Sequence, residues 1–399
     1  MRLYKTHDTP TCSVRRLDIF DTSVTSVTSV ISDELPQSNL KEFSVAIVKW
    51  QKNHGRHSLP WQNTQDPYRV WLSEIMLQQT QVITVLSYYE RFLNRFPTVA
   101  DLAGAPQDDV LALWSGLGYY SRARNMHQCA QQVMALHHGE FPKTAEKLQT
   151  LPGIGPSTAA AIASFCFAER VAILDGNVKR VLTRVLGFAG DMSQGAQVRH
   201  LWQIATELLP EHKLKEMMPR YTQGLMDLGA TVCTSRKPQC VVCPVQGLCQ
   251  GFMKSEPEKY PVKTRKLKRS VEVLYVLWAE KPDGSVWLER RPVLGIWGGL
   301  YCLPVFESPE ALQAFFPEWL PAQMIFLKPF KHVLTHKDLN LHPVVLAFSL
   351  DQTMPVVHPD ASGAVETAPI GAWLTPAEWG ALGLPAPIRK LLSGEVNGV

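Results

Sequence analysis

The stretch "LQTLPGIGPSTAAAIASF", residues 148–165, decides how the first half of this chain is read. The apolar pattern running to Leu151 reads as the end of one helix. Pro152-Gly153-Ile154-Gly155 reads as a turn, and Pro156 as the first residue of a second helix, with Ser157 and Thr158 beside it. Gly153 and Gly155 let backbone come close to a ligand, and the free amides opening the second helix suit a phosphate oxygen. The pattern predicts a helix-hairpin-helix, although an ordinary helix-helix turn shares it. Immediately downstream, "ILDGNVKRVLTRV" (173–185) begins another helix, and on this segment alone Asp175 reads as its cap.

The chain of 399 residues exceeds the usual single-domain size and predicts two domains plus a tail. No stretch is long and apolar enough for a membrane span, and the N-terminus lacks a secretory signal core, so a soluble, cytoplasmic protein is expected, nucleoid-associated in a bacterium. In a reducing compartment disulfides are disfavoured. Residues 1–37, with the repeat "TSVTSVTSV", read as a disordered extension. From there to residue 251 the pattern is helical throughout, with a long amphipathic segment at 69–95. A basic linker, 252–270, carries "KYPVKTRKLKRS"; it reads as solvated and is compatible with phosphate contact. Beyond it the period changes to strands. "VEVLYVLWA", a "KPDGS" turn and "VWLERRP" predict one hairpin, and "KPFKHVLTHKDLNLHPVVLAFSL" a second. Helical patterns at 308–316 and 386–393 make residues 271–399 an α+β domain.

Four of the eight cysteines crowd into Cys233, Cys240, Cys243 and Cys249, spaced C-x6-C-x2-C-x5-C. Structural zinc sites usually pair their ligands across a longer loop, whereas these thiols follow one another closely, which favours an iron-sulfur cluster over zinc. Cys12, Cys129, Cys166 and Cys302 read as ordinary thiols. In "WLSEIMLQQTQV" (71–82), Glu74, Gln78 and Gln81 fall on one helix face, a solvated stripe or a catalytic one. Tyr119 and Tyr120 read equally as core or as stacking groups, and Trp61 as a helix anchor or a pocket wall.

The hairpin, the aspartate after it and the cysteine loop together resemble the endonuclease III superfamily of DNA repair glycosylases. "LPWQ" (59–62), "WLSEIMLQQTQV" (71–82), "GLGYYSRARN" (116–125), "LDGNVKRV" (174–181) and "IWGGLYCLP" (296–304) resemble, within it, the MutY-type adenine DNA glycosylases. The resemblance runs from about Leu40 to the C-terminus. It implies a multidomain protein in which an all-α helix-hairpin-helix glycosylase domain (38–251) with a [4Fe-4S] cluster on the four cysteines precedes a Nudix-like lesion-recognition domain. It implies a monomer acting on double-stranded DNA with adenine opposite 8-oxoguanine or guanine. It further implies catalytic roles for Glu74, Asp175 and Asn177, and an adenine pocket at Arg56 and Trp61. Gln78 and Tyr119 would enter the duplex beside the oxidised guanine, while Gly153, Gly155, Ser157 and Lys179 would meet DNA. Superfamily members that also cut the strand carry a lysine where this chain has Ser157, so little strand cleavage is expected. The family's Phe-Ser-His recognition turn corresponds here to Leu334, Thr335 and His336, which keeps a hydroxyl and loses the aromatic ring.

Competing readings are excision of thymine or uracil from guanine mismatches, a non-catalytic DNA-binding module, and nucleotide hydrolysis. The first leaves the C-terminal domain unexplained. The second ignores both carboxyls, and the third lacks a magnesium-binding glutamate helix, since Glu307, Glu310 and Glu318 have the wrong spacing.

Overall fold

The structure, a computed structural model, describes residues 37–265, 268–316, 323–355 and 371–395. The expected N-terminal extension and part of the basic run therefore lie outside the described residues. The first half is helical: α1 (Gln37–His54), α2 (Pro67–Met76), α3 (Val82–Arg95), α4 (Val99–Gly104), α5 (Gln107–Trp114), α6 (Ser121–His137), α7 (Ala145–Leu148), α8 (Pro156–Phe167), α9 (Gly176–Leu186), α10 (Gly195–Glu207), α11 (Leu214–Thr231) and α12 (Gln250–Met253). No described helix is long and apolar enough to cross a membrane.

Helix α8 is the centre of this half. Its run of alanines presents small side chains on every side, so it packs against α2 on one flank and α11 on the other. Ala159 and Ala163 belong to one hydrophobic cluster, built mainly on α2 to α7, whereas Ala160 and Ala161 belong to a second, built on α1 and α9 to α11. Ser164 on α8 and Thr222 on α11 satisfy each other's hydroxyls at 2.7 Å inside that second seam. Two lobes thus meet along α8.

The second half forms an eight-stranded sheet: β1 (Ser270–Glu280), β2 (Val286–Arg290), β3 (Tyr301–Cys302), β4 (Val305–Phe306), β5 (Ile325–Phe326), β6 (Phe330–Val333), β7 (Lys337–Ala347) and β8 (Gly371–Leu374), with α13 (Pro309–Phe315), α14 (Pro376–Gly380) and α15 (Ala386–Leu392). Both expected hairpins form, β1 with β2 and β6 with β7. The parallel pairing of β1 with β7 across the whole of both strands joins them, and nothing local in the sequence announces it. The sheet docks on the helical half. Leu274, Val276, Leu339, Leu341 and Leu384 share a cluster with the core of α2 to α6. Ser115 and Tyr120 both donate to the Leu384 carbonyl at 3.1 Å, and Arg290 pairs with Asp108.

Residues 69–95 do not form one helix. Helix α2 ends at Met76 and α3 starts at Val82, with Gln79 between them in the left-handed region (φ 58°). Glu74 is therefore on α2, Gln78 in the turn and Gln81 at the cap of α3, not on one continuous face as the spacing predicts. The break is imposed from a distance. Arg122, at the start of α6, donates to the carbonyls of Ile75 (2.8 Å), Met76 (3.1 Å) and Gln78 (2.7 Å), which would otherwise feed a continuing helix. Its other guanidinium nitrogen donates to Thr80 Oγ1 and to the carbonyls of Leu117 and Gly118. One side chain fastens two loops. A smaller departure is α7, which stops at Leu148 rather than Leu151, so the hairpin turn is longer than the pattern predicts.

Replacing Arg122 with Ala removes a charged donor from six acceptors and is expected to destabilise the fold by about 3 kcal/mol, with Lys restoring less than half because it lacks the planar fork. Amide exchange should rise at residues 77–81 and 116–119 and stay unchanged in α9. Uniform loss of protection across both lobes would contradict a local clamp.

Candidate active site and cluster loop

Helix α2 begins with Pro67 behind an Asp66 cap and buries Val70, Trp71, Leu72, Ile75 and Met76, which leaves Glu74 pointing into the seam between the lobes. There it lines a cavity of about 580 Å³ together with Gln51, Leu59, Trp61, Phe165 and Met226. Burial, and secondarily the nearby carboxylate Asp175, push the Glu74 carboxyl up to about 8. Such a group still holds its proton at neutral pH. Asp175 arrives from the opposite lobe as the cap of α9, its Oδ1 accepting from the Val178 amide at 2.7 Å. Burial raises its pKa too, opposed by the amides of Val178 and Asn177 and by Arg180 and Lys179. The capping reading is therefore correct, and it leaves the carboxyl beside Glu74. Two carboxyls in such different settings can divide proton donation from charge stabilisation.

Around this pair the expected site residues take definite places. Asn177 accepts from Arg180 at 2.9 Å and packs against Gly229 so closely that a Cβ there would meet its own at 2.8 Å. Trp61 serves both readings: it stacks edge-on against Tyr89 at 5.2 Å and also lines the cavity. Arg56 lines the cavity with its guanidinium already committed, since its Nε donates to Asp227 at 2.7 Å and its amide to the same carboxylate at 3.0 Å. Gln223 donates to that carboxylate as well, at 2.9 Å. Asp227, fully buried in α11, is a site residue the sequence reading missed; the lone acid in the apolar "GLMDLGA" run was the available signal.

In the hairpin, Gly153 has φ 76° and lies against Asn125, where any Cβ would clash at 2.8 Å, while Gly155 caps α8 with open space before it. The Ser157 hydroxyl accepts from the Leu174 amide at 3.1 Å, so it ties the hairpin to the strand of chain leading into Asp175. Lys179 stands half-buried one turn into α9, its pKa lowered by burial and by Lys263 of the linker.

Gln78 and Tyr119 come together through Arg122, which binds the Gln78 carbonyl and lies over the Tyr119 ring at 5.7 Å. Gln78 Nε2 reaches Thr158 of α8 at 3.4 Å. Tyr119 is 42% exposed and Tyr120 only 8%, so the tandem pair splits into a surface ring and a core ring. Tyr119 has φ 47° and Gln79 φ 58°, a strained backbone in two loops that Arg122 fastens. From the second domain, the Thr335 hydroxyl hydrogen-bonds that of Tyr119. His336 is placed beside it in the β6–β7 turn, its carbonyl accepting from Ser270 at 3.2 Å. Arg122 was not singled out by the sequence reading, because no spacing rule reveals an arginine that caps a distant helix.

Cys233, Cys240, Cys243 and Cys249 all line one small cavity, walled by Val181, Leu228 and Val245. All four are free thiols. Four thiols facing one cavity suit an iron-sulfur cluster. Buried Arg184 donates to Cys233 Sγ at 3.4 Å, and its carbonyl accepts from Cys249 Sγ at 3.4 Å. Residues 233–249 form an iron-sulfur binding segment for a [4Fe-4S] cluster, and these four cysteines are the thiols that would hold it, fastening the loop to α9 and α11. Arg236 and Lys237 are thereby carried on a fixed loop, Lys237 through its amide to Glu258 at 2.8 Å.

The Glu74 carboxyl gives a pH signature. Its folded pKa, about 8, lies above the usual 4.5, so the stability its proton contributes is complete below about 4.5 and is lost as pH rises through about 8. Glu74→Gln removes that dependence. Between pH 5 and 8 the variant should gain on the wild type by about 1.4 kcal/mol per pH unit in urea unfolding, and parallel curves would contradict a buried, protonated carboxyl.

The comparisons with known proteins agree with this geometry. Residues 72–207 match the HhH-GPD superfamily base excision DNA repair protein model, residues 233–249 the iron-sulfur binding domain of endonuclease III, and residues 275–394 the NUDIX domain. The chain is 34% identical over 356 residues to the adenine DNA glycosylase of Buchnera aphidicola subsp. Acyrthosiphon pisum, covering 88% of this chain and 96% of that one. It is 41% identical over 226 residues to the adenine DNA glycosylase of Mus musculus, covering 54% and 43% respectively. Among solved structures a thermostable thymine-DNA glycosylase aligns over 55% of this chain and 100% of its own, at 28% identity and a TM-score of 0.48. A helical half with paired carboxyls, a cluster loop and a Nudix-like sheet, matched almost end to end by such a relative, places the chain in the adenine DNA glycosylase family of HhH-GPD base excision DNA repair proteins, as a DNA glycosylase.

Proposed function

We propose that this enzyme extrudes adenine mispaired with 8-oxoguanine or guanine from duplex DNA and hydrolyses its glycosidic bond, leaving an abasic site in an uncut strand. The observation that carries the reading is Glu74, protonated at neutral pH in the wall of a cavity large enough for a base. Glu74 passes its proton to a ring nitrogen of adenine, which makes the base a better leaving group. As the bond from sugar carbon to base nitrogen breaks, adenine leaves carrying the proton, positive charge develops on the sugar and Asp175 stabilises it; water then adds with loss of a proton, and the abasic sugar stays in the uncut strand. Asn177, held by Arg180, orients the sugar. Trp61 and the Arg56–Asp227 pair shape the pocket.

Residues 38–251 are assigned the catalytic role, 252–270 the linker and 271–399 recognition of the oxidised base, with Gln78 and Tyr119 entering the duplex. Gly153, Gly155 and Lys179 hold the phosphates nearby. Recognition rather than nucleotide hydrolysis is the favoured role for the sheet domain because α13, seven residues long, carries only Glu310 as an acid. We take the working form to be a monomer in the cytoplasm.

Single-turnover release of adenine opposite 8-oxoguanine tests the reading. Glu74→Gln should slow it by about a thousand-fold and leave duplex binding unchanged, since the amide keeps the shape and has no proton to give. Near-normal excision by the variant would remove Glu74 from the chemistry. Wild-type product strands should stay intact until alkali is added; covalent trapping by borohydride would contradict the assignment of Ser157 to a lyase-inactive position.

A second prediction concerns the recognition turn. Changing Thr335 and His336 together to Ala should lower the preference for adenine opposite 8-oxoguanine over adenine opposite guanine by on the order of 1 to 3 kcal/mol, while excision opposite guanine proceeds. Full preference in the double variant would mean that Gln78 and Tyr119 read the lesion without the second domain.

A further inference from the structure

The β6–β7 turn is short, and its three carbonyls at Thr335, His336 and Lys337 face the end of the linker. Arg269 Nη1 donates to the Thr335 carbonyl at 3.2 Å, and Nη2 to that of Lys337 at 3.4 Å. The Ser270 amide takes the His336 carbonyl at 3.2 Å, and the Leu334 amide closes the turn on Lys337 at 2.8 Å. Arg269 also pairs with the Asp338 carboxylate, which Lys331 on the opposite strand grips at 2.5 Å. A turn held at the carbonyls of Thr335 and His336 and closed on Lys337 of β7 has little freedom left except in its outward side chains. Those are Thr335, already bonded to Tyr119, and His336.

The other end of the linker is equally fixed. Asp191, between α9 and α10, accepts from the Thr264 amide at 3.2 Å and from its hydroxyl, and the Met192 amide donates to the Val262 carbonyl at 2.9 Å.

We propose that Arg269 is a positioning residue for lesion recognition: it sets the Thr335–His336 turn in register with Tyr119. The inference rests on the turn's proposed reading role. Arginine suits it because a planar fork can serve two carbonyls and a carboxylate together, which an ammonium cannot.

The test uses the full-length protein and single-turnover excision on duplexes with adenine opposite 8-oxoguanine and opposite guanine. Arg269→Ala should cut the preference for the oxidised pair about ten-fold with the rate opposite guanine within about two-fold, and Arg269→Lys should recover less than a third of the loss. Added to the Thr335/His336 double alanine variant, Arg269→Ala should lower preference no further, because both act through one turn. An equal fall on both duplexes, with a salt dependence of binding shallower by about one ion, would mean a plain phosphate contact and overturn the proposal. If the double variant alone leaves preference intact, the turn's reading role fails and this inference with it. If the double variant lowers preference and Arg269→Ala does not, only the positioning role fails. Should Arg269→Ala not fold, Asp338→Asn carries the test, and unchanged preference in it overturns the proposal.

Discussion

A half-buried carboxyl group set between two hydrophobic clusters organises the rest of this structure. Both lobes contribute to the desolvation that keeps the Glu74 proton on at neutral pH, although the cavity wall also carries Arg56, Lys215 and Arg220. α2 buries its apolar face against α8, while α11 contributes Met226 and Gln223 to the wall, and buried Asp227 behind them holds Arg56 and Gln223. The only charge acting visibly on Glu74 is Asp175, and it acts in the direction that keeps the proton on.

The alanine face of α8 makes the seam possible. Helices approach closely only where side chains are small, and α8 belongs to both clusters because it carries alanine where a larger residue would force the lobes apart. The same helix opens at the hairpin glycines, so the element that separates the lobes also carries the backbone amides that suit a phosphate. Chemistry and DNA grip are thus fixed to one rigid part.

Away from the seam, the loops are held by arginines bonded to backbone carbonyls. Arg122 stops α2 and fastens the Gly118–Tyr119 loop, Arg184 ties the cluster loop to α9, and Arg269 holds the recognition turn. Each binds several acceptors from different segments, which regular secondary structure could not do at these positions. A guanidinium serves because it brings five donors in a plane and keeps its charge.

The sequence by itself determined the parts whose signals are local. Pro156 and the two glycines fixed the hairpin, Asp175 the start of α9, the cysteine spacing the cluster loop, and the change from helical to alternating period the second domain. The carboxyls and the recognition turn came from matching motifs, which name residues without placing them. Only the tertiary structure decided that 69–95 is two helices, because the carbonyls that end α2 are taken by an arginine more than forty residues away. It also decided that Tyr119 lies at the surface and Tyr120 in the core, that β1 pairs in parallel with β7, and that Asp227 holds the pocket's Arg56. Each of these depends on partners distant in sequence, and neither helical period nor strand alternation carries information about what a residue meets across the fold.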